Sequence, residues 1–421
     1  VSAARRSQGS SVALLERLVL ATFSSSASLT RVELEELTGL SRTVVAGVVA
    51  ALVARGELAE LRQPPTAGAR GRPPTRYQRT ALLAPVLLIQ LTTRGSTWVS
   101  SMRGDGASSD THQCAAWSQA WPAWSRSVLE AAARLRDSPR LRDSAQPPPR
   151  LAVLSVPFPV AQTHGDSRGH DMAYAELRAS PWLQGDPGPA LSDLLGCMVL
   201  VVNEANLAAL GEASFGAGRG RRGVLYISVK NGVGAGFVFD GRLFTGAHGF
   251  SGELAHVQVN PDGAACRCGN RGCLGTEEAA RGMLRRPASW DGAELGPLVG
   301  RAVAPLVTVL DPDCIVVDAN LAAQCDPFIA AVNAELTRRC PPGLAASLAV
   351  VPGDFTDAER YGALTAADTY AATLVSEGTW PAFPQAAGAP AWFSLSAKAH
   401  ESPLIPEASL FLSLSFRTTN A

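Results

Sequence analysis

Lysine is almost missing from this chain. Of 421 residues only Lys230 and Lys398 are lysine. A Schiff-base or phosphate-loop lysine therefore has two candidates, and no Gly-x4-Gly-Lys-[Ser/Thr] pattern occurs. Net charge is missing too: 37 Lys and Arg balance 37 Asp and Glu, which excludes a molecule that binds nucleic acid over its whole surface. Long apolar runs are absent. The longest, residues 44–54, has 11 residues, too few to cross a bilayer. Glu16 and Arg17 interrupt the early apolar stretch 12–23, which reads as an amphipathic helix and not a secretory leader. Cys114, Cys197, Cys314, Cys325 and Cys340 show no disulfide spacing. Reduced thiols in a soluble, cytoplasmic protein with no membrane partner are expected.

The other three cysteines are clustered, as Cys266-x-Cys268-x4-Cys273, with His256 ten residues upstream of the first. Gly263, Gly269 and Gly272 permit turns sharp enough for three thiolates to face one point. Three sulfurs and one imidazole make a complete tetrahedral set for a structural zinc. His256, Cys266, Cys268 and Cys273 are the expected metal ligands.

The balanced charge hides a basic end. Residues 1–80 hold 11 Arg against 6 Glu with no Lys or Asp, a net +5, and five of those Arg lie within 62–79. The same segment has a helix over 11–24 and a second over 31–38, with Thr30 and Glu33 as a capping box. After a turn at Gly39-Leu40, a third helix follows Ser41 and runs to Ala54. Helix, helix, tight turn, helix is the helix-turn-helix pattern. Residues 57–62 and 77–80 can pair as a wing around an Arg70-Gly71-Arg72-Pro tip suited to a minor groove. The third helix would present Ser41, Arg42, Thr43, Ala46 and Gly47 to the major groove. Arg42 can bond guanine, whereas Ala46 and Gly47 offer few donors, so direct base readout should be sparse.

From residue 82 the pattern becomes α/β. Strands are expected at 85–91, 98–102, 151–156, 197–202, 224–229, 237–239, 314–317 and 348–351. Helices are expected at 121–135, 189–195, 205–215, 296–310, 328–339 and 358–374. Asn203-Glu204 stands at the carboxyl end of a strand, where α/β sheets hold ligands. It can equally be a helix cap followed by a first-turn acid. The Gly-x-Gly-x-Gly at 232–236 can cradle phosphate or let backbones pack closely. The stretch from 376 to 421, rich in Pro, Ala and Ser, reads as a loosely ordered tail.

Gly252-Glu253-Leu-Ala-His256 followed by Cys266-Arg-Cys268-Gly-Asn-Arg-Gly-Cys273-Leu274 resembles the ROK family of repressors, open reading frames and kinases. Asn203-Glu204-Ala-Asn206-Leu-Ala-Ala-Leu-Gly-Glu212 and Gly232-Val-Gly-Ala-Gly236 add to the resemblance, and the front segment is similar to the repressor branch. The resemblance implies a winged helix-turn-helix over 1–80, then a two-lobed, actin-like sugar-kinase domain. Its N-terminal lobe would be 81–200, closed by the helix near 358–374, and its C-terminal lobe 201–357. It implies sugar contacts at Asn203, Glu204, Glu253 and His256, a double-stranded DNA operator, a sugar or sugar-phosphate effector, and a homodimer or homotetramer.

Departures from the family pattern cluster where a kinase would hold nucleotide. Glu204 stands where family kinases have an Asp general base, and its longer arm shifts the oxygens. Gln90-Leu-Thr-Thr-Arg94-Gly95-Ser-Thr97 replaces Asp-x-Gly-Gly-Thr, Asn231 replaces Thr, and Asp318-Ala319 replaces Gly-Gly. Around the sugar, Phe158 and Gly275 stand where Gly and Glu are usual. The expectation is a DNA-binding regulator, with a sugar kinase or a ligand-independent DNA-binding protein as alternatives.

Overall fold

The computed structural model describes residues 28–54, 58–61, 75–79, 85–102, 108–137, 149, 151–160, 183, 187–230, 232–280 and 291–377, together with Leu15, Glu16, Val19, Thr22 and Phe23. The basic tip with Arg70, Gly71 and Arg72, the substituted Asn231 and the tail beyond 377 lie outside the described residues.

The first unit forms because its caps and apolar stripes agree. Strand β1 (Leu29–Thr30) leads into helix α1 (Arg31–Thr38). The Thr30 hydroxyl accepts from the Glu33 amide, and the Glu33 carboxylate accepts from the Thr30 amide at 2.6 Å, which closes the capping box. Gly39, at φ 67°, ends the helix in the left-handed region that favours glycine. Helix α2 (Arg42–Ala54) buries Val45, Val48, Val49 and Leu52. These pack with Val19, Phe23, Leu34, Leu58 and Tyr77 into one small core. Strands β2 (Leu58–Leu61) and β3 (Arg76–Arg79) pair antiparallel, and β1 adds to the other edge of β3. The three-stranded sheet β1-β3-β2 completes a winged helix-turn-helix. The sequence pattern shows the wing but not β1, whose two residues pair with a strand more than forty positions away.

The rest is two five-stranded mixed sheets. The first has the order β6-β5-β4-β7-β8, from β4 (Val86–Leu91), β5 (Thr97–Met102), β6 (Ser108–Cys114), β7 (Leu151–Val156) and β8 (Met198–Asn203). Helices α3 (Trp121–Asp137) and α4 (Pro187–Leu195) bury one face with Trp117 and Trp124. Strand β8 runs three residues past the expected lobe boundary at 200, pairing with β7 as far as Asn203. Helix α5 (Glu204–Ser214) begins where it ends.

The second sheet is β11-β10-β9-β12-β13, from β9 (Gly223–Val229), β10 (Val233–Phe239), β11 (Arg242–Phe244), β12 (Cys314–Val317) and β13 (Ala349–Pro352). Between β11 and β12 come α6 (Leu274–Ala280) and α7 (Gly292–Leu310), and between β12 and β13 come α8 (Cys325–Arg339) and α9 (Pro342–Ser347). Among the described residues, α7 alone is long and apolar enough to cross a membrane. Ten of its residues are buried, and it packs on α8 through Gly292, Gly296 and Gly300, so it is a core helix. The last helix among the described residues, α10 (Ala358–Glu377), lies against α5 and against β4 and β7 of the first sheet. One core runs from Leu88 and Val153 of the first sheet through Leu207 of α5 to Tyr226 and Val316 of the second.

Candidate functional site

Along α2 the positions expected to face DNA lie on the outer side of the helix. Ser41, Arg42, Thr43, Gly47 and Ala50 are exposed and Ala46 is half-buried. Arg76 of the wing differs. Arg76 faces inward: Nε donates to the Ser28 hydroxyl at 2.9 Å, and Nη2 lies 3.3 Å from the Glu33 carboxylate. It ties β3 to α1, and it does not add to a free basic patch. Arg31 lies over the Tyr77 ring, 5.3 Å from its centroid.

In the second unit, Asn203 is the N-cap of α5. Its Oδ1 accepts from the amides of Ala205 at 2.9 Å and Asn206 at 3.2 Å, and Nδ2 donates to the Phe158 carbonyl at 3.2 Å. The cap therefore also ties α5 to the strand-end turn at Phe158. Glu204 opens the helix. Burial pushes its carboxyl up to about 7; Lys230 pulls it down, whereas Glu359 and Asp318 push it up.

Strand β10 brings the expected ligand segments together. The α5 backbone lies against Gly236, where a Cβ would stand 2.8 Å from the Ala205 carbonyl oxygen. Farther along, where β11 has ended, the Ala235 amide donates to Gly252 O at 2.9 Å. A Cβ on Gly252 would lie 2.0 Å from the Ala235 oxygen, and φ there is 90°. Of the two readings of Gly-x-Gly-x-Gly, close backbone packing explains Gly236. Glu253 then precedes a short 3-10 turn, Leu254–His256.

That turn delivers His256 to the cysteine loop. One ligand atom from each of His256, Cys266, Cys268 and Cys273 falls within 4.8 Å of every other. Cys266 Sγ is 3.6 Å from His256 Nδ1, and Cys268 Sγ is 3.6 Å from Cys273 Sγ. Zinc–sulfur bonds of about 2.3 Å give a tetrahedron with edges of about 3.8 Å, so the spacing fits. The electrostatics fit as well. Burial and the neighbouring sulfurs push Cys273 up to about 12. Burial also acts on Cys266, but the Cys268 amide, Thr276 and His256 bring it down to about 6. A bound cation would let thiolates share this space.

Residues 176–293, which hold the α5 cap, β10 and the cysteine loop, match the ROK family model. Over that segment the chain is similar to the ROK family. Over 106 residues it is 34% identical to the xylose repressor of Bacillus subtilis, covering 25% of this chain and 28% of the repressor. Over 88 residues it is 47% identical to a glucokinase of Halalkalibacterium halodurans, covering 21% of this chain and 27% of the kinase. The alignments thus span little more than a quarter of these relatives. In fold, the chain is similar to a ROK family transcriptional regulator that is a homologue of Escherichia coli Mlc. The TM-score is 0.66 at 19% identity, over 87% of this chain and 98% of the other.

The residues at the stretches that depart from the kinase pattern bond to this chain's own groups. Asp318 is fully buried at the end of β12. Its Oδ1 accepts from the Asn320 amide at 3.0 Å and side chain at 2.8 Å, and its Oδ2 from the Val229 amide at 3.3 Å. Gln90 and Lys230 both reach Glu359 on α10. Glu359 does not stand out in the sequence, and only the fold brings it to Lys230. Glu277 does not replace the acid missing at Gly275, because its Oε2 accepts from Asn260 at 3.2 Å inside the cysteine loop. Glu212 is fully buried and structural, taking the amides of Ala217, Asp354 and Phe355 at 2.9–3.1 Å.

The Glu204 environment gives a pH prediction. Its folded value of about 7 lies above the ordinary 4.5. The stability it contributes is therefore full below about pH 4.5 and is lost as pH rises through about 7. Allowing for screening, the effect is on the order of 2 kcal/mol. Wild-type melting temperature should fall across that window, and Glu204→Gln should flatten the fall. An unchanged slope in the variant would assign it to other groups.

Proposed function

We propose that this chain is a DNA-binding transcriptional regulator, a repressor, whose ROK domain senses a sugar. The observation that carries the reading is the winged helix-turn-helix, with the outer face of α2 exposed and the arginine-rich tip sequence beyond β2, joined to a ROK domain. Arg42 and Thr43 would meet base edges or phosphates in the major groove, while Arg70 and Arg72 would enter the minor groove. A homodimer or homotetramer would present two such units to an operator with matching half-sites. The likeness to a xylose repressor and to the fold of a ROK regulator supports this reading.

A sugar would lie against Asn203, Glu204, Glu253 and His256. A structural zinc would be held by His256, Cys266, Cys268 and Cys273. With Nδ1 on the cysteine side, the other ring nitrogen of His256 remains for a sugar hydroxyl. The zinc would supply no chemistry beyond fixing the 252–278 loop.

The glucokinase likeness favours a second reading, an ATP-dependent sugar kinase. Against it, Asp318, Lys230 and Glu359 spend their charges on this chain's own groups where nucleotide would lie, so turnover is not expected. A coupled ATP-consumption assay over a panel of sugars decides between them. Turnover abolished by Glu204→Gln would overturn the regulator reading.

The DNA claim has its own test. Operator fragments recovered by selection from random duplexes should bind with an affinity that falls steeply as salt rises, by roughly 10-fold or more between 50 and 200 mM. Arg42→Ala should weaken binding by about 10-fold or more and relax preference at one base pair. Absent or salt-insensitive binding by the purified protein would reject the proposal.

A further inference from the structure

Glu359 is a buried carboxylate that bridges both sheets. It sits in the first turn of α10 and is 6% exposed. Its Oε1 pairs with Lys230 Nζ at the end of β9. Its Oε2 accepts from Ser155 Oγ at 2.9 Å and Gln90 Nε2 at 3.1 Å. Gln90 and Ser155 are direct register partners on the parallel strands β4 and β7. Three donors from two sheets thus converge on one carboxylate, as they would on a bound oxyanion. Gln90 and Lys230 also open the two stretches that stand in place of the kinase phosphate loops.

We propose that Lys230, Ser155 and Gln90 form an oxyanion cradle occupied by this chain's own Glu359, which acts as a tethered anion clamping the two sheets together. The cradle takes a small free oxyanion, carboxylate or phosphate, when the Glu359 carboxylate is removed. The surrounding charge explains why a second anion does not join the first. Glu204, Asp318 and Asp357 all act on this cluster, and Lys230 faces them as the opposing charge. Arg360, on the same helix, is directed to Asp357 and to Thr111 Oγ1. A free anion must therefore replace Glu359. In the regulator reading, a neutral sugar fits without disturbing the clamp, whereas a sugar phosphate that reaches Lys230 must break it.

The test is chemical rescue, read by thermal unfolding of the full chain. Glu359→Ala should melt below wild type and recover at least half of the loss, saturably, in formate, acetate or phosphate. Chloride at matched ionic strength should not rescue it. Wild type and the Glu359→Ala/Lys230→Met double variant should show no saturable response. No response from folded Glu359→Ala, or an equal response from the double variant, overturns the cradle. If Glu359→Ala does not fold, a double-mutant cycle decides. Lys230→Met should lower the melting temperature by leaving Glu359 buried and unpaired, and adding Glu359→Gln should restore part of the loss. Additive losses overturn the clamp.

Discussion

Alanine at position 362 is expected to destabilise this protein by about 3 kcal/mol or more, a melting drop of roughly 10 °C. Helix propensity alone gives the opposite sign, since Gly to Ala inside a helix gains about 1 kcal/mol. Packing decides. A Cβ on Gly362 would stand 1.7 Å from the Leu207 carbonyl oxygen and 2.5 Å from its carbon. Gly211 does the same in reverse, with its Cβ 2.1 Å from the Ala358 oxygen. The two glycines, one on α10 and one on α5, let the helix backbones touch. Neither obstacle is a side chain that can rotate away, so the helices must separate. That separation would also draw Glu359 from Lys230, because Glu359 lies one turn before Gly362. Gly343 in α9 is the control: its Cβ would meet nothing within 4 Å, so Gly343→Ala should be neutral or slightly stabilising. Calorimetric scans of both variants check the contrast. A Gly362→Ala protein as stable as wild type would show that α5 and α10 do not cross this closely.

The contrast shows which features the sequence makes legible. Local ones were readable: the Thr30–Glu33 capping box, the Gly39 turn and the apolar stretch of β7 each depend on residues a few positions apart. The histidine–cysteine cluster was readable because its four residues lie within 18 positions and glycines mark the turns. Strand β6 was not expected, since Ser-Ser-Asp-Thr-His-Gln-Cys has no apolar alternation and becomes a strand only by pairing with β5. Arg76 looked like part of a basic wing until the fold set it beside Ser28 and Glu33. Asn203 reads as either a cap or a ligand contact, and only the fold shows its Oδ1 taking the cap bonds from Ala205 and Asn206. The Lys230–Glu359 pair joins residues 129 positions apart, and neither sits in a pattern that names the other. Charge compensation across that distance becomes visible only when α10 returns to the first sheet.

Cys268→Ala should remove about one zinc per chain and leave residues 252–278 without their organising centre. The loop has little else to hold it. Leu254, Cys273 and Leu274 are buried, while residues 264–271 are wholly or partly exposed. Its internal backbone bonds are short-range: Cys266 N to Asn270 O at 2.7 Å, Gly272 N to Ala264 O at 2.9 Å and Val259 N to Gly272 O at 2.9 Å. They are also demanding. Gly272 has φ 59° and a Cβ there would lie 1.5 Å from Asn260 O, while Gly269 has φ 93°. A cross-link at their centre would offset the entropy cost of holding turns this tight. Structural zinc supplies roughly 10–16 kcal/mol of apparent binding energy in small domains, so losing one of four ligands should cost about 3–5 kcal/mol or more. The damage should spread. Gly252 packs on the Ala235 carbonyl and Glu253 follows it, so the expected sugar wall loosens with the loop. Metal analysis of reduced, chelator-free protein, paired with limited proteolysis of the loop, measures both effects. Cys314→Ala, at a buried cysteine on β12, should keep its zinc and an intact loop. No zinc in the wild-type protein, or a Cys268→Ala protein that retains metal and protease resistance, would leave the cluster as three packed thiols beside a histidine.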